Sequence, residues 1–282
     1  MLTVHNFSYG LLTPALGYLM SFVGAFLGLR CTTRSRASTG AARVRWLLVA
    51  AVAIGITGIW VMHFIAMLGF TIPGQTILYN VPITLGSMVT AVIFVFIGLL
   101  SVGLGKATKR SLIISGVITG LGVAAMHYTG MAAMEMRARI TYNPELFATS
   151  IVIAIVAATA ALWAALRLRG VLSTLGAAAI MGVAVSGMHY TGMAAMHLWP
   201  VSGGGMVMNG ASAEEFLLPL IVGVSVITFV LTATIALSPT EEELNAEAEL
   251  MRRIESAGSP PPAAVTPPAV SRTPRDGQIW PT

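Results

Sequence analysis

The sequence predicts an all-α membrane protein of seven transmembrane helices, three repeated helical hairpins followed by one further helix, with the N-terminus outside and the C-terminus in the cytoplasm. Three observations carry this prediction. Of 282 residues, 56% are hydrophobic and only 10% charged, against about 25% charged in a soluble domain. Seven apolar stretches free of Asp, Glu, Lys and Arg are each long enough to cross a hydrocarbon core of about 30 Å. The basic residues between them fall almost entirely on one side.

Taken in order, the stretches are 9–29, 46–70, 82–104, 111–134, 147–166, 171–199 and 216–237. Backbone groups in lipid must pair internally, so each is expected to be a helix, and neighbouring helices shield its Gly, Thr and Pro. No Lys or Arg precedes the first stretch and no small-residue cleavage site follows it, so it reads as a retained helix. Arg30, Arg34, Arg36, Arg43 and Arg45 follow it, then Lys106, Lys109 and Arg110, then Arg167 and Arg169, in what read as short loops. With Arg252, Arg253, Arg272 and Arg275 in the tail, fourteen of sixteen basic residues mark one side as cytoplasmic; Arg137 and Arg139 mark the other. Gly203–Gly205 and Asn143 are then expected outside, and helices two, four and six run outward.

After Leu237 the composition changes, giving a membrane domain over 1–237 and a cytoplasmic tail over 238–282. Thr240 with Glu243 three positions on reads as the cap of a charged helix to about Glu255. Beyond it, Gly258-Ser259-Pro260-Pro261-Pro262 opens a Pro-rich segment too poor in apolar residues to fold. No catalytic output domain is expected in the tail. The net charge of +5 comes from topology signals rather than a basic patch interleaved with aromatics, so nucleic acid is not an expected partner. Cys31 is the only cysteine. A disulfide and a thiolate metal cage are thereby excluded, and Cys31 reads as a plain reduced thiol.

Residues 126–134 read Met-His-Tyr-Thr-Gly-Met-Ala-Ala-Met, and 188–196 repeat all nine letters. A weaker copy, Met62-His63-Phe64-Ile65-Ala66-Met67, lies 64 residues before the first, and the strong copies are 62 apart, so the period is one hairpin. Each copy sits near the outward end of its helix, so His63, His127 and His189 share one depth. Met67, Met131 and Met193 lie four residues after them, on the same helical face. Met134 and Met196 are expected to extend that face, and Gly130 and Gly192 to remove bulk where another helix approaches. Thioether sulfur is soft and imidazole suits copper in both oxidation states, so a His/Met cluster without thiolates or intramembrane carboxylates points to copper; His and Met also serve haem as axial ligands. Taken singly, a methionine in an apolar helix is usually filler, and an intramembrane histidine is as often a helix–helix hydrogen-bond partner. Three at one depth with the same offset favour a shared ligand site. His5 and His197 read as solvated. Tyr128 and Tyr190 read as interfacial anchors or as donors into the site.

With these strings in place, the chain resembles the MHYT family of bacterial membrane sensors over roughly residues 5–240. The resemblance implies copper bound through the motif Met and His residues, adding Met62, Met126 and Met188 to the ligand candidates, and sensing of a diatomic gas such as oxygen, carbon monoxide or nitric oxide. It also implies a bacterial cytoplasmic membrane location. Phe64 in place of tyrosine argues against a required hydroxyl there. Family members often fuse this domain to a cytoplasmic effector; none is expected after Leu237, so output would pass through a separate cytoplasmic signalling protein or the tail.

The expected function is therefore a non-enzymatic sensing module in the lipid bilayer. A membrane copper carrier or chaperone is the alternative, and an intramembrane metal hydrolase ranks below both, because Glu135 is the only carboxylate near the motifs.

Overall fold

Helix periodicity and apolar length are realised directly in the computed structural model, which describes residues 2–105, 108–201, 210–237 and 249–254. The helices are α1 (Leu12–Ala37), α2 (Gly40–Leu68), α3 (Val81–Leu104), α4 (Lys109–Ala132), α5 (Pro144–Arg167) and α6 (Val171–Ala195). Among the described residues these six are long and apolar enough to cross a membrane. A further helix, α7 (Leu218–Leu237), follows. The chain divides between Ala233 and Thr234 into two units. In the second, Glu249–Ile254 is helical, with Glu249 paired to Arg253 at 3.2 Å.

Several boundaries differ from the sequence expectation. α1 runs on to Ala37, so Arg30, Arg34 and Arg36 lie within its last two turns rather than in a loop, and α2 begins already at Gly40, before Arg43 and Arg45. Long Arg side chains reach polar surroundings from a helix end, so charge need not break the helix. These arginines also close that end of the bundle: Arg36 donates to the Leu168 carbonyl at 2.7 Å and Arg43 to the Gly103 carbonyl. At the opposite end α4 stops at Ala132 and α6 at Ala195, short of the expected 134 and 199. Met134 and Met196 therefore do not extend a helical face: they belong to strands β2 (Met134–Glu135) and β4 (Met196–Pro200). His197 lies in β4 opposite Thr141 of β3 (Ala138–Tyr142), not on a helix end. Together with β1 (Leu78–Tyr79) and β5 (Ala211–Ser212), these short strands form two small antiparallel sheets, β2-β1-β5 and β3-β4. Gly203–Gly205, Lys106, residues 240–248 and 255, and the Pro-rich segment lie outside the described residues.

Each helix packs on the next and α6 returns to α1, so the three hairpins close into a ring. Small residues set the spacing, as expected where helices associate by packing rather than by expelling water. Gly24 of α1 faces Gly58 of α2, Gly98 faces Thr119, and Gly120 faces the Ile155 backbone. The middle of α2, Ala53–Val61, is wound as a π-helix, a form often associated with functional segments. From it Thr57 bonds Thr228 of α7 at 2.6 Å, seating α7 along the groove between α1 and α2.

Candidate metal centre

One hydrogen bond per hairpin fixes the depth of the motif. The backbone N–H of Ser8, just before α1, donates to the Gly69 carbonyl at 3.0 Å; Asn80, before α3, to Ala133 at 2.8 Å; Asn143, before α5, to Ala195 at 2.7 Å. Gly69, Ala133 and Ala195 each stand six residues after the motif histidine. Asn80 and Asn143 also cap their own helices, accepting from Ile83 and from Glu145 and Leu146, with Pro82 and Pro144 in the first turn, where a missing N–H costs nothing. The start of each odd helix is thus pinned to the end of the even one, at the same offset from the motif histidine in all three hairpins.

His63, His127 and His189 meet there, 0%, 1% and 1% exposed. His63 Nδ1 is 3.0 Å from His189 Nδ1 and 3.1 Å from His127 Nδ1. The rings stand nearly perpendicular to one another, with centroids 4.9, 5.0 and 5.1 Å apart. One ligand atom from each lies within 4.8 Å of the others, and among the described residues this is the one such cluster of three His, Cys, Asp or Glu side chains.

A neutral imidazole has one N–H and one lone pair, so an Nδ1 is either donor or acceptor. His63 Nδ1 faces the Nδ1 atoms of both other histidines, and the three cannot all be satisfied mutually. A cation between them would use all three lone pairs and leave each proton on Nε2. Two nitrogens about 2.0–2.1 Å from one ion, about 100° apart at it, would be about 3.1 Å from each other, so the spacing of His63 Nδ1 from its two neighbours suits metal ligation.

The outer edges of two rings explain the motif glycines. A Cβ on Gly130 would stand 2.5 Å from His63 Nε2, and one on Gly192 would overlap His127 Nε2. What approaches these glycines is an imidazole of the preceding copy, not a helix backbone. His63 Nε2 and His127 Nε2 are buried there without a hydrogen-bond partner.

The family profile of a bacterial signalling protein N-terminal repeat, MHYT, matches residues 57–115 and 120–178. The chain carries two repeats of the MHYT family. The first MHYT repeat contains the weak copy at Met62–Ile65 and the second contains Met126–Thr129, while the intact copy at Met188–Thr191 lies beyond both matches. Similar proteins include the bifunctional diguanylate cyclase/cyclic di-GMP phosphodiesterase MucR of Pseudomonas aeruginosa, 39% identical over 67% of this chain and 28% of that protein. The cyclic di-GMP phosphodiesterase NbdA of the same species is 35% identical over 78% of this chain and 28% of its own length. The signaling protein YkoW of Bacillus subtilis is 30% identical over 67% and 24%. The matched part is thus about a quarter of the length of these relatives. No solved structure matches. The MHYT repeats, signalling relatives and six apolar helices establish a multi-pass membrane protein of a signalling family.

Around the MHYT histidines, all six candidate methionines are buried. Met62 lies against Gly17 of α1, and Met188 faces a cavity inside the ring, consistent with positions about 100° around the helix from their histidines. Met126, Met67, Met131 and Met193 are 1%, 1%, 0% and 4% exposed. Tyr128 bonds Ser150 of α5 at 2.6 Å rather than donating into the cluster. Phe64, edge-on to His63 and packed on Trp60 and Tyr79, needs no hydroxyl. Beyond the helices, Tyr142 packs against Tyr128, and burial first and that neighbour second push its phenol up to about 12. Glu135 accepts from Asn80 Nδ2 at 3.1 Å and from the Gly210 N–H at 3.1 Å, so its carboxylate ties the loops together. His5 is exposed and His197 half-buried. Cys31 is fully buried, which suits a plain thiol.

The pinning role was not assigned from the sequence, although an Asn one or two residues before Pro recurs at about the hairpin period, as Asn80-Val81-Pro82 and Asn143-Pro144.

Proposed function

We propose that this chain is a bacterial membrane sensor that holds a metal, copper, between His63, His127 and His189, and that the state of this metal is its signal. The carrying observation is three buried imidazoles, each with one ligand nitrogen within 4.8 Å of the others, and with His63 Nδ1 3.0 and 3.1 Å from those of His189 and His127. The histidines would hold the ion, and Met67, Met131 and Met193, buried one turn on along the same helical faces, would be its thioether donors. When bound, copper supplies redox change and affinity for a diatomic gas such as oxygen, carbon monoxide or nitric oxide. The remaining work belongs to the chain. Gly130 and Gly192 admit the rings, Phe64 and Trp60 exclude water, and Thr57 links the histidine-bearing α2 to α7. We read seven spanning helices, with the N-terminus and histidine end outside and residues 238–282 in the cytoplasm; the arginines at the opposite end support that orientation. The enzymatic activities in the names of MucR and NbdA belong to proteins of which this chain matches about a quarter. Here the signal would pass through α7 to a cytoplasmic partner. A carrier would want donors at successive depths, whereas among the described residues only one group of three His, Cys, Asp or Glu side chains is close enough to share an ion. A hydrolase would want a free acid or base, and Glu135 is engaged by the loops.

Metal analysis and an optical spectrum of the detergent-purified protein test the reading. His127→Ala and His189→Ala should each lower copper occupancy, while His197→Ala, in strand β4, should leave most of it. Full copper retention and an unchanged spectrum after loss of either motif histidine would overturn the shared site.

A further inference from the structure

Immediately on the arginine side of the histidines, the ring of helices leaves a cavity of about 50 Å³. Each histidine-bearing helix supplies one wall residue four positions before its histidine: Ile59, Val123 and Val185. Four residues are about one helical turn, so these side chains form a layer directly beneath the imidazoles. Only Ser21 and Thr119 bring side-chain oxygen or nitrogen to the wall, and Thr119 donates its proton to the Phe94 carbonyl at 3.4 Å. A buried water needs two to four polar partners, whereas an apolar void stays dry and takes an apolar guest. Much of the remaining wall is alanine, including Ala154, Ala158 and Ala161 of α5. Any of these replaced by a larger side chain would fill the space, and an unfilled void forfeits dispersion contacts. The sequence thus maintains an opening that one substitution would close.

We propose that this cavity is a binding site for one apolar molecule of diatomic or xenon size, held one helical turn from the histidine cluster. A guest of that size matches the volume and needs no hydrogen bond from the wall. The site deepens the reading of the cluster as a gas-responsive centre by giving an uncharged, weakly polar gas a place to collect beside it. It is nevertheless a property of the packed helices alone, so it can be tested without the metal.

Xenon is the probe, measured by xenon-129 magnetic resonance on the metal-stripped full chain in lipid nanodiscs, with empty nanodiscs as reference. Saturable binding is expected in the wild type. It should weaken at least about tenfold in Ala158→Leu, which fills the void, and persist in Val123→Ala, which enlarges it. Ala161→Val serves as the milder filling variant if Ala158→Leu does not fold. A wild-type signal no greater than that of empty nanodiscs, or equal binding in a folded filling variant, would overturn the proposal. Copper uptake, measured after the same preparations are returned to copper, separates the two readings. Xenon binding without copper uptake supports the cavity and removes the metal, and copper uptake without xenon binding does the reverse.

Discussion

At the scale of single residues, the motif is best explained by what its side chains make room for. Glycine recurs at 130 and 192 because an imidazole from the preceding copy occupies the space of its missing Cβ. Ala66 stands at the equivalent position in the first copy, so the cluster is only approximately threefold. Gly192→Ala should therefore displace the His127 ring. The expected outcome is a loss of stability of about 1–3 kcal/mol in thermal unfolding, from overpacking, together with an altered metal spectrum. An unchanged spectrum at full copper loading would show that ring position is not what the glycine protects. Tyr128→Phe makes the opposite test. Its hydroxyl serves Ser150, so about 1 kcal/mol of stability should go while the metal spectrum stays as in the wild type. Phe64 already shows that a ring without a hydroxyl fits beside a motif histidine.

At the scale of elements, the hairpins are held level by their caps. Asn143 satisfies two orphan N–H groups of α5 through its side chain, and its own N–H bonds the end of α6. Asn143→Ala should cost about 0.5–2 kcal/mol, read as a lowered unfolding temperature in detergent. Asn80→Ala should cost more, because the Asn80 side chain also donates to Glu135 and so joins α3 to β2. Equal effects of the two substitutions would show that the Glu135 contact adds nothing. The helix limits teach a related lesson. Apolar length located α1–α6, yet α1 passes through three arginines, and α4 and α6 stop before their apolar runs do. Hydropathy reports the solvent a residue prefers. It does not report where the backbone exchanges helical bonds for a strand pairing such as Tyr142 with Met196.

At the scale of the whole molecule, the arrangement predicts a defined orientation and a defined motion. In a Cys31→Ser background, Val201→Cys should be labelled by an impermeant reagent on intact cells, and Arg169→Cys only after the cytoplasm is opened. The reverse pattern would invert the topology. If the metal's state is the signal, a change in preferred ligand geometry must move α2, α4 and α6 against one another, since each supplies one imidazole. Spin labels at Ala41 and Arg110, exposed at the arginine ends of α2 and α4, should then give different distances in reduced, oxidised and carbon-monoxide-treated protein. Identical distributions with copper bound would remove helix movement as the mechanism. The glycines leave no slack for such movement, because the imidazoles fill it, so the whole ring must adjust.

From one-dimensional order alone came the membrane class, the hairpin period and the three histidines, because apolar runs, charge asymmetry and repeats are properties of sequence spacing. The likeness to the MHYT family came from the same strings. Packing decided the rest. Whether three side chains at one depth face one point depends on helix rotation and spacing, set here by glycine contacts and by the hydrogen bond that closes each hairpin. Strands of two to five residues are too short to show a period, so the sheets that cover the histidine end were invisible. The cavity is a volume that no residue owns, and it exists only once six helices have closed around it.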